Sequence, residues 1–208
     1  MPALACHGQG RVNLALFDFD GTITTRETFP GFLQRAVTPR RLVLGKLLLA
    51  PLIVGYRLGI VSGTLVRASI VKFAFRGVAE AAITDVGEAF ANHVLPQLLR
   101  PQAMERIRWH QAQGDTVVVV SGGFDLVLSH WCTQHGLALI CSQLESAGGV
   151  LTGRYLGAQC VGAEKCRRVR EQYEVSGFAR VYAYGDTIED LAMLEMAHER
   201  TFRWQKAA

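Results

Sequence analysis

Two aspartates, Asp18 and Asp20, stand two residues apart in the string DFDGTIT, directly after the apolar run RVNLALF at 11–17. Carboxylates this close repel each other unless a cation sits between them. A hard divalent ion that prefers oxygen ligands, Mg2+ above all, answers that need. Gly21 permits a sharp turn away from the strand. An isolated Asp-x-Asp is commonly no more than a solvated acidic turn, but the whole string after an apolar strand is far more specific. Three further groups could share the work: Ser121-Gly122-Gly123 after TVVVV, Gly185-Asp186 after RVYAY, and Lys165 between them. Each has a bland reading of its own. Ser-Gly-Gly is usually a turn, a lone lysine usually lies on the surface, and GDTIED can be a helix start with Asp186 as cap and Glu189 three residues on. What argues against coincidence is that independent pieces point the same way in one order.

Something has to position these groups. The runs at 11–17, 116–120 and 180–184 read as buried strands that end in polar residues, and helix-like stretches follow at 125–135 and 187–197. Strands alternating with helices predict a parallel α/β sheet, and open sheets of that kind bind ligands at the carboxyl ends of their strands. Residues 29–99 lack this alternation. They carry helix-period apolar positions instead, such as Leu65, Ile70, Phe73 and Ala74, then Ile83, Val86, Phe90 and Val94. Pro96 and Pro101 mark the return. The expected division is an α/β catalytic core of residues 11–28 plus 100–208, with an all-helical cap at 29–99. QLESAGGVLTG at 143–153 reads as a hairpin around Gly148-Gly149. The apolar stretch 42–61 is interrupted by Lys46, Arg57 and Pro51. It is expected to form two helices meeting near Pro51, and to touch a membrane surface sooner than span one.

DFDGTIT, VVVVSGG, a downstream lysine and GDTIED resemble, in order and context, the haloacid-dehalogenase-like hydrolase superfamily. SGGFD at 121–125 and GGVLTG at 148–153 resemble its phosphoserine-phosphatase-like branch, which carries a helical cap after the first motif. The resemblance implies a Rossmann-like parallel sheet core and a Mg2+-dependent phosphomonoester hydrolase. It also implies roles. Asp18 is the nucleophile, forming an aspartyl-phosphate. Asp20 is the general acid and base, its backbone carbonyl also reaching the metal. Asp18, Asp20 and Asp186 hold Mg2+, and Asp190 orients that metal shell. Ser121, Gly122 (its N–H at a helix N-terminus) and Lys165 bind the phosphate. Asp20 speaks for phosphate esters and against carbon–halide bonds, because a halide leaving group needs no proton.

Glu27 lies nine residues after Asp18, where phosphoserine phosphatases carry the glutamate that reads the substrate amine. The family's cap arginine for the substrate carboxylate has no clear counterpart; Arg57, Arg67 and Arg76 are the candidates. Glu189 also stands where those enzymes have asparagine. Histidinol phosphate, with an amine and no carboxylate, fits this pattern, and phosphoserine fits in part. The apolar, basic-flanked 40–60 stretch and the string HERTFRW resemble phosphatidylglycerophosphate phosphatases, which work on a lipid headgroup. A catalytically idle metal-binding relative is the remaining alternative, although neither acid is lost.

Composition fits these readings. The chain of 208 residues is 50% hydrophobic and 19% charged, enough for a full core. Its net charge of +4 looks small and evenly spread, which suits a small anionic substrate and not nucleic acid. Five cysteines, Cys6, Cys132, Cys141, Cys160 and Cys166, show no Cys-x-x-Cys spacing and read as buried thiols. The N-terminal MPALACHGQGR lacks the pattern of a secretory signal, so a cytoplasmic protein is expected. Oligomeric state is not legible.

Overall fold

An apolar run with no polar break must be covered on both sides, and β1 (Leu14–Phe17) is wholly buried. The computed structural model describes residues 12–206. Cys6, Arg11 and the N-terminal string therefore lie outside the described residues. After β1 come four helices: α1 (Phe29–Ala36), α2 (Pro39–Arg57), α3 (Gly63–Phe75) and α4 (Glu80–His93). The chain returns through α5 (Pro101–Ala112) to β2 (Thr116–Phe124), α6 (Asp125–His135) and β3 (Ala138–Ser142). The hairpin β4 (Leu144–Ala147) and β5 (Val150–Tyr155) follows, then α7 (Ala163–Gln172), β6 (Val181–Gly185), α8 (Leu191–Glu195), β7 (Glu199–Phe202) and β8 (Gln205–Lys206).

The main sheet has the order β3-β2-β1-β6-β7-β8 and is parallel except for the last strand. It is the expected Rossmann-like parallel core, with a helical cap inserted after β1. Side chains alternate across it. Ala15, Phe17, Val117 and Val119 face one core, and Leu14, Leu16, Val118 and Val120 the other. β1 lies between β2 and β6, so its carboxyl end has strand ends on both sides.

The cap is seated on the core by aromatic packing. Phe29 and Phe32 of α1 and Phe75 of α3 all meet Phe124 at the end of β2, and Phe90 of α4 meets Phe32. At the α4–α6 crossing Gly87 has no alternative, since a Cβ there would lie 1.9 Å from the Leu126 carbonyl oxygen. The hairpin forms where expected, with Ala147 opposite Val150, and joins the cap through Leu151 N–H to Val78 O (2.8 Å) and Gly77 N–H to Leu151 O (2.9 Å).

The expectation of two helices meeting at Pro51 is corrected: α2 runs unbroken from Pro39 to Arg57 with Pro51 inside it. Proline forfeits one hydrogen bond, to the carbonyl of Leu47 four residues back. Leu47 lies on the exposed side of the helix, where water can take that carbonyl, so the helix continues. The four described cysteines are free and buried. His110, for which the sequence offered no motif, is buried between Asp115 (Nδ1, 2.7 Å) and the Tyr184 hydroxyl (Nε2, 2.9 Å), tying α5 to β6.

Gly87→Ala is expected to lower stability by about 3 kcal/mol, because backbone must move to admit the methyl group. Urea unfolding would read this, and a stability equal to wild type would show that the α4–α6 contact is looser than described.

Candidate active site

The turn after β1 is fixed from several directions. Asp18 N–H donates to the Tyr184 carbonyl (2.9 Å), extending the β1–β6 ladder by one residue. Phe19 is buried edge-on against Trp131, 5.1 Å between ring centres. Gly21 has φ +79°, and a Cβ there would lie 2.2 Å from Asp186 Oδ2. Only glycine lets this turn pass so close to the loop after β6. Thr22 Oγ1 donates to Asp186 Oδ1 (3.2 Å), and Arg100 donates to the Gly21 carbonyl (3.1 Å). From the far edge of the sheet, Trp204 Nε1 donates to the Thr22 carbonyl (3.0 Å) and Arg203 Nε to the Asp186 carbonyl (3.0 Å). Arg203 and Trp204 adopt left-handed φ of +50° and +61°, conformations these bonds help to hold.

Lys165, on α7, is buried at the centre of the site. Its Nζ lies 2.5 Å from Asp18 Oδ1 and 2.6 Å from Asp190 Oδ1. The other oxygen of Asp190 accepts from Asp186 N–H (3.1 Å), Thr187 N–H (3.0 Å) and Thr187 Oγ1 (2.9 Å). Thr187 and Asp190 thus form a capping box on the short 3-10 turn Ile188–Asp190. GDTIED is a capped helical start after all, but with Thr187 and Asp190 as the pair, not Asp186 and Glu189.

One lysine does not balance the acids around it. Burial pushes Asp18 up to about 8, against the pull of Lys165 and with a further push from Asp190. Burial and the neighbouring Glu27 push Asp20 up to about 7, against hydrogen bonds from Thr28. Burial also raises Asp186, with Asp190 adding to the effect. Asp190 goes the other way: burial would raise it, but the Lys165 charge and hydrogen bond outweigh burial and hold it below the usual 3.8.

Carboxylate oxygens of Asp18, Asp186 and Asp190 lie within 4.8 Å of one another. An all-oxygen donor set carrying more negative charge than its one lysine neutralises fits a hard divalent cation such as Mg2+. The Asp20 side chain is not part of this group. Its Oδ1 accepts instead from Thr28 N–H (3.0 Å) and Thr28 Oγ1 (2.7 Å), which leaves Oδ2 without a hydrogen-bond partner among the described residues.

A cleft between core and cap collects the other candidates. Asp18, Asp20, Ser121, Gly122, Lys165 and Asp190 line it, as does Glu27 at the entry to the cap. Asp186 belongs to the carboxylate group but not to the cleft wall. Ser121 Oγ accepts from Gly123 N–H (3.0 Å), so its own hydrogen remains available. The placement of Gly122 at a helix N-terminus is corrected. β2 continues to Phe124 and α6 begins only at Asp125, because the strand carries a register shift between Ser121 and Phe124 in place of an early turn. Lys165 is not the surface residue that a lone lysine usually is.

Of the three cap arginines, Arg67 alone lines the cleft, and its Nη2 lies 2.6 Å from Glu189 Oε1 across the gap. Arg57 ends α2 and Arg76 lines a different groove. Nothing in the local sequence set Arg67 apart from the other two. Thr28, Phe29 and Tyr155 were also missed, and only the Thr28 contact with Asp20 could have been sought, as a hydroxyl at the start of a helix.

A parallel sheet whose strand ends gather three aspartates and a buried lysine under a helical cap defines a hydrolase. The chain belongs to the haloacid dehalogenase-like hydrolase family, whose profile matches residues 15–195. It is 34% identical over 192 residues to Protein CicA of Caulobacter vibrioides, covering 91% of this chain and 85% of that one. It is 27% identical over 119 residues to a histidinol-phosphatase of Neisseria meningitidis, covering 54% and 53%. A substrate-bound phosphoserine phosphatase shares the fold, with TM-score 0.66, 21% identity and coverage of 93% and 87%.

Asp190→Asn removes the carboxylate charge that Lys165 holds ionised beside it. It is expected to cost about 3 kcal/mol at neutral pH, read by urea unfolding in chelator. Since Asp190 titrates below 3.8 in the folded protein, its contribution is present above that value and fades as the pH falls below it, so the gap to wild type should narrow there. A gap that stays constant with pH would mean that the Asp190 charge is not what stabilises the site.

Proposed function

We propose that the protein is a Mg2+-dependent phosphomonoester hydrolase working through an aspartyl-phosphate on Asp18, and that its ester carries an amine, in the class of histidinol phosphate or phosphoserine. The observation that carries the chemistry is the pairing of buried Asp18 with Lys165 at the floor of the cleft. Asp18 attacks phosphorus, and the phosphoryl group passes to its carboxylate as the alkoxide leaves. Asp20, oriented by Thr28 through one oxygen, gives its proton to the alkoxide from the other and later takes one from the water that opens the intermediate. The Ser121 hydroxyl donates to a phosphoryl oxygen, the Gly122 N–H lies beside it, and the Lys165 ammonium neutralises charge on the transferring group. Mg2+, when bound by Asp18, Asp186 and the Asp20 carbonyl, adds positive charge at the phosphoryl oxygens. Asp190 holds Lys165 and the loop after β6 in register, and so acts on that shell from behind.

The amine reading rests on Glu27. It lines the cleft, and among the described residues its carboxylate has no ion-pair partner. Arg67, the one cap arginine at hand, is already neutralised by Glu189. A substrate carboxylate must displace Glu189 to reach it, whereas histidinol phosphate makes no such demand. The name of the Neisseria relative agrees with this choice. A second reading, a phosphatidylglycerophosphate-type lipid headgroup, is favoured by one observation: the leucines exposed on α2.

Asp18→Asn should reduce turnover of p-nitrophenyl phosphate by about a thousandfold or more while the circular dichroism spectrum stays that of wild type. Near-normal activity would refute covalent catalysis by Asp18. Chelator should stop turnover and Mg2+ restore it. No turnover by folded, Mg2+-loaded wild type would identify a catalytically idle relative. Glu27→Gln should lower kcat/KM for histidinol phosphate by roughly 10- to 100-fold and leave the aryl ester unaffected. An equal loss on both esters would assign Glu27 a structural role. Turnover of phosphatidylglycerophosphate well above that of histidinol phosphate and phosphoserine would favour the second reading.

A further inference from the structure

The positive charge of this chain is not evenly spread. Between Glu27 and Glu80 there are eight of its 22 Lys/Arg and none of its 18 Asp/Glu, so the remainder of the chain is net acidic. Within this all-cationic segment lies α2, and α2 is apolar nearly all round. Gly45 is buried against Phe73 of α3, and a Cβ there would lie 2.7 Å from that ring. The opposite face carries Val43, Leu44, Leu47, Leu48 and Val54, which are 50–69% exposed, and it continues into Leu58 at 68%. Val43 and Leu47, Leu44 and Leu48, and Val54 and Leu58 are four apart, and Leu47 and Val54 seven apart, so they form one stripe along the helix. A helix apolar on both faces is normally covered on both. Arg40 begins the same face, Lys46 and Arg57 flank it, and all three are exposed.

We propose that the outer face of α2 docks on an anionic lipid surface, with its leucines at the level of the acyl boundary and the cations among the headgroups. Charge complementarity selects this occupant. A second copy of the chain would bring an identical all-cationic cap against this one, and like charges oppose that pairing. An anionic bilayer offers apolar depth and negative charge together. The lysine and arginine stems can lie along the apolar face while their heads reach the phosphates. No helix among the described residues is long and apolar enough to cross a membrane, which fits a helix lying in the interface. This inference does not depend on which ester is hydrolysed.

The test is co-sedimentation of the full chain with vesicles of phosphatidylglycerol and phosphatidylcholine, and with phosphatidylcholine alone. Binding should be at least about tenfold tighter to the anionic vesicles and should weaken in high salt. The double variant Leu47→Glu/Leu48→Glu should lose at least about tenfold in binding while turning over p-nitrophenyl phosphate as wild type does, which shows that it is folded. Three results would overturn the proposal: no binding of wild type to anionic vesicles at low salt, undiminished binding by the double variant, or a vesicle-free dimer by light scattering that the double variant makes monomeric.

Discussion

The Lys165 ammonium organises this molecule. Three segments far apart in the chain, the end of β1, the start of α7 and the loop after β6, meet at one buried nitrogen. Removing an ammonium and two carboxylates from water costs several kcal/mol per ion, and that cost is recovered only when the geometry is held closely. Much of the surrounding structure serves this condition. The capping box fixes Asp190, Gly21 leaves room for Asp186, and Gly185 leaves room for Asp190, whose Cβ would lie 2.5 Å from an added methyl group. The same exclusion of water that makes the cluster costly strengthens its charge interactions, because buried surroundings screen them less than bulk water does.

The parts of this arrangement that were legible in the sequence are those where local pattern and chemistry coincide. An apolar run ending in Asp18 or Asp186 states both a strand and its useful end. Gly148-Gly149 states a hairpin, and the loss of strand–helix alternation after Glu27 marks the helical insertion. What was not legible depended on tertiary contacts. Pro51 looks like a break until its partner carbonyl proves to lie on the exposed side of the helix. Gly122 looks like the start of a turn, but it lies in a register shift between Ser121 and Phe124, both of which pair with β3, so the strand runs on past it. Arg67 differs from Arg57 and Arg76 only in pointing at Glu189, a residue 122 positions away. The β7–β8 turn, which grips the loops after β1 and β6 through Trp204 and Arg203, has no local signature, because its left-handed residues are not glycines.

Cap and core differ in charge as well as in fold, and the two meet at the cleft. The cap segment between Glu27 and Glu80 carries only cations, whereas the floor of the cleft is crowded with carboxylates. Long-range attraction therefore favours closure. Directly across the cleft it is expressed in the pair Arg67–Glu189, whose side chains are 31% and 41% exposed. A pair in that setting is worth roughly 0–1 kcal/mol, so it ties cap to core far less firmly than the rings packed around Phe124 do. The Arg67–Glu189 seam is therefore a minor tie between cap and core, and the aromatic packing around Phe124 carries the larger share of that contact.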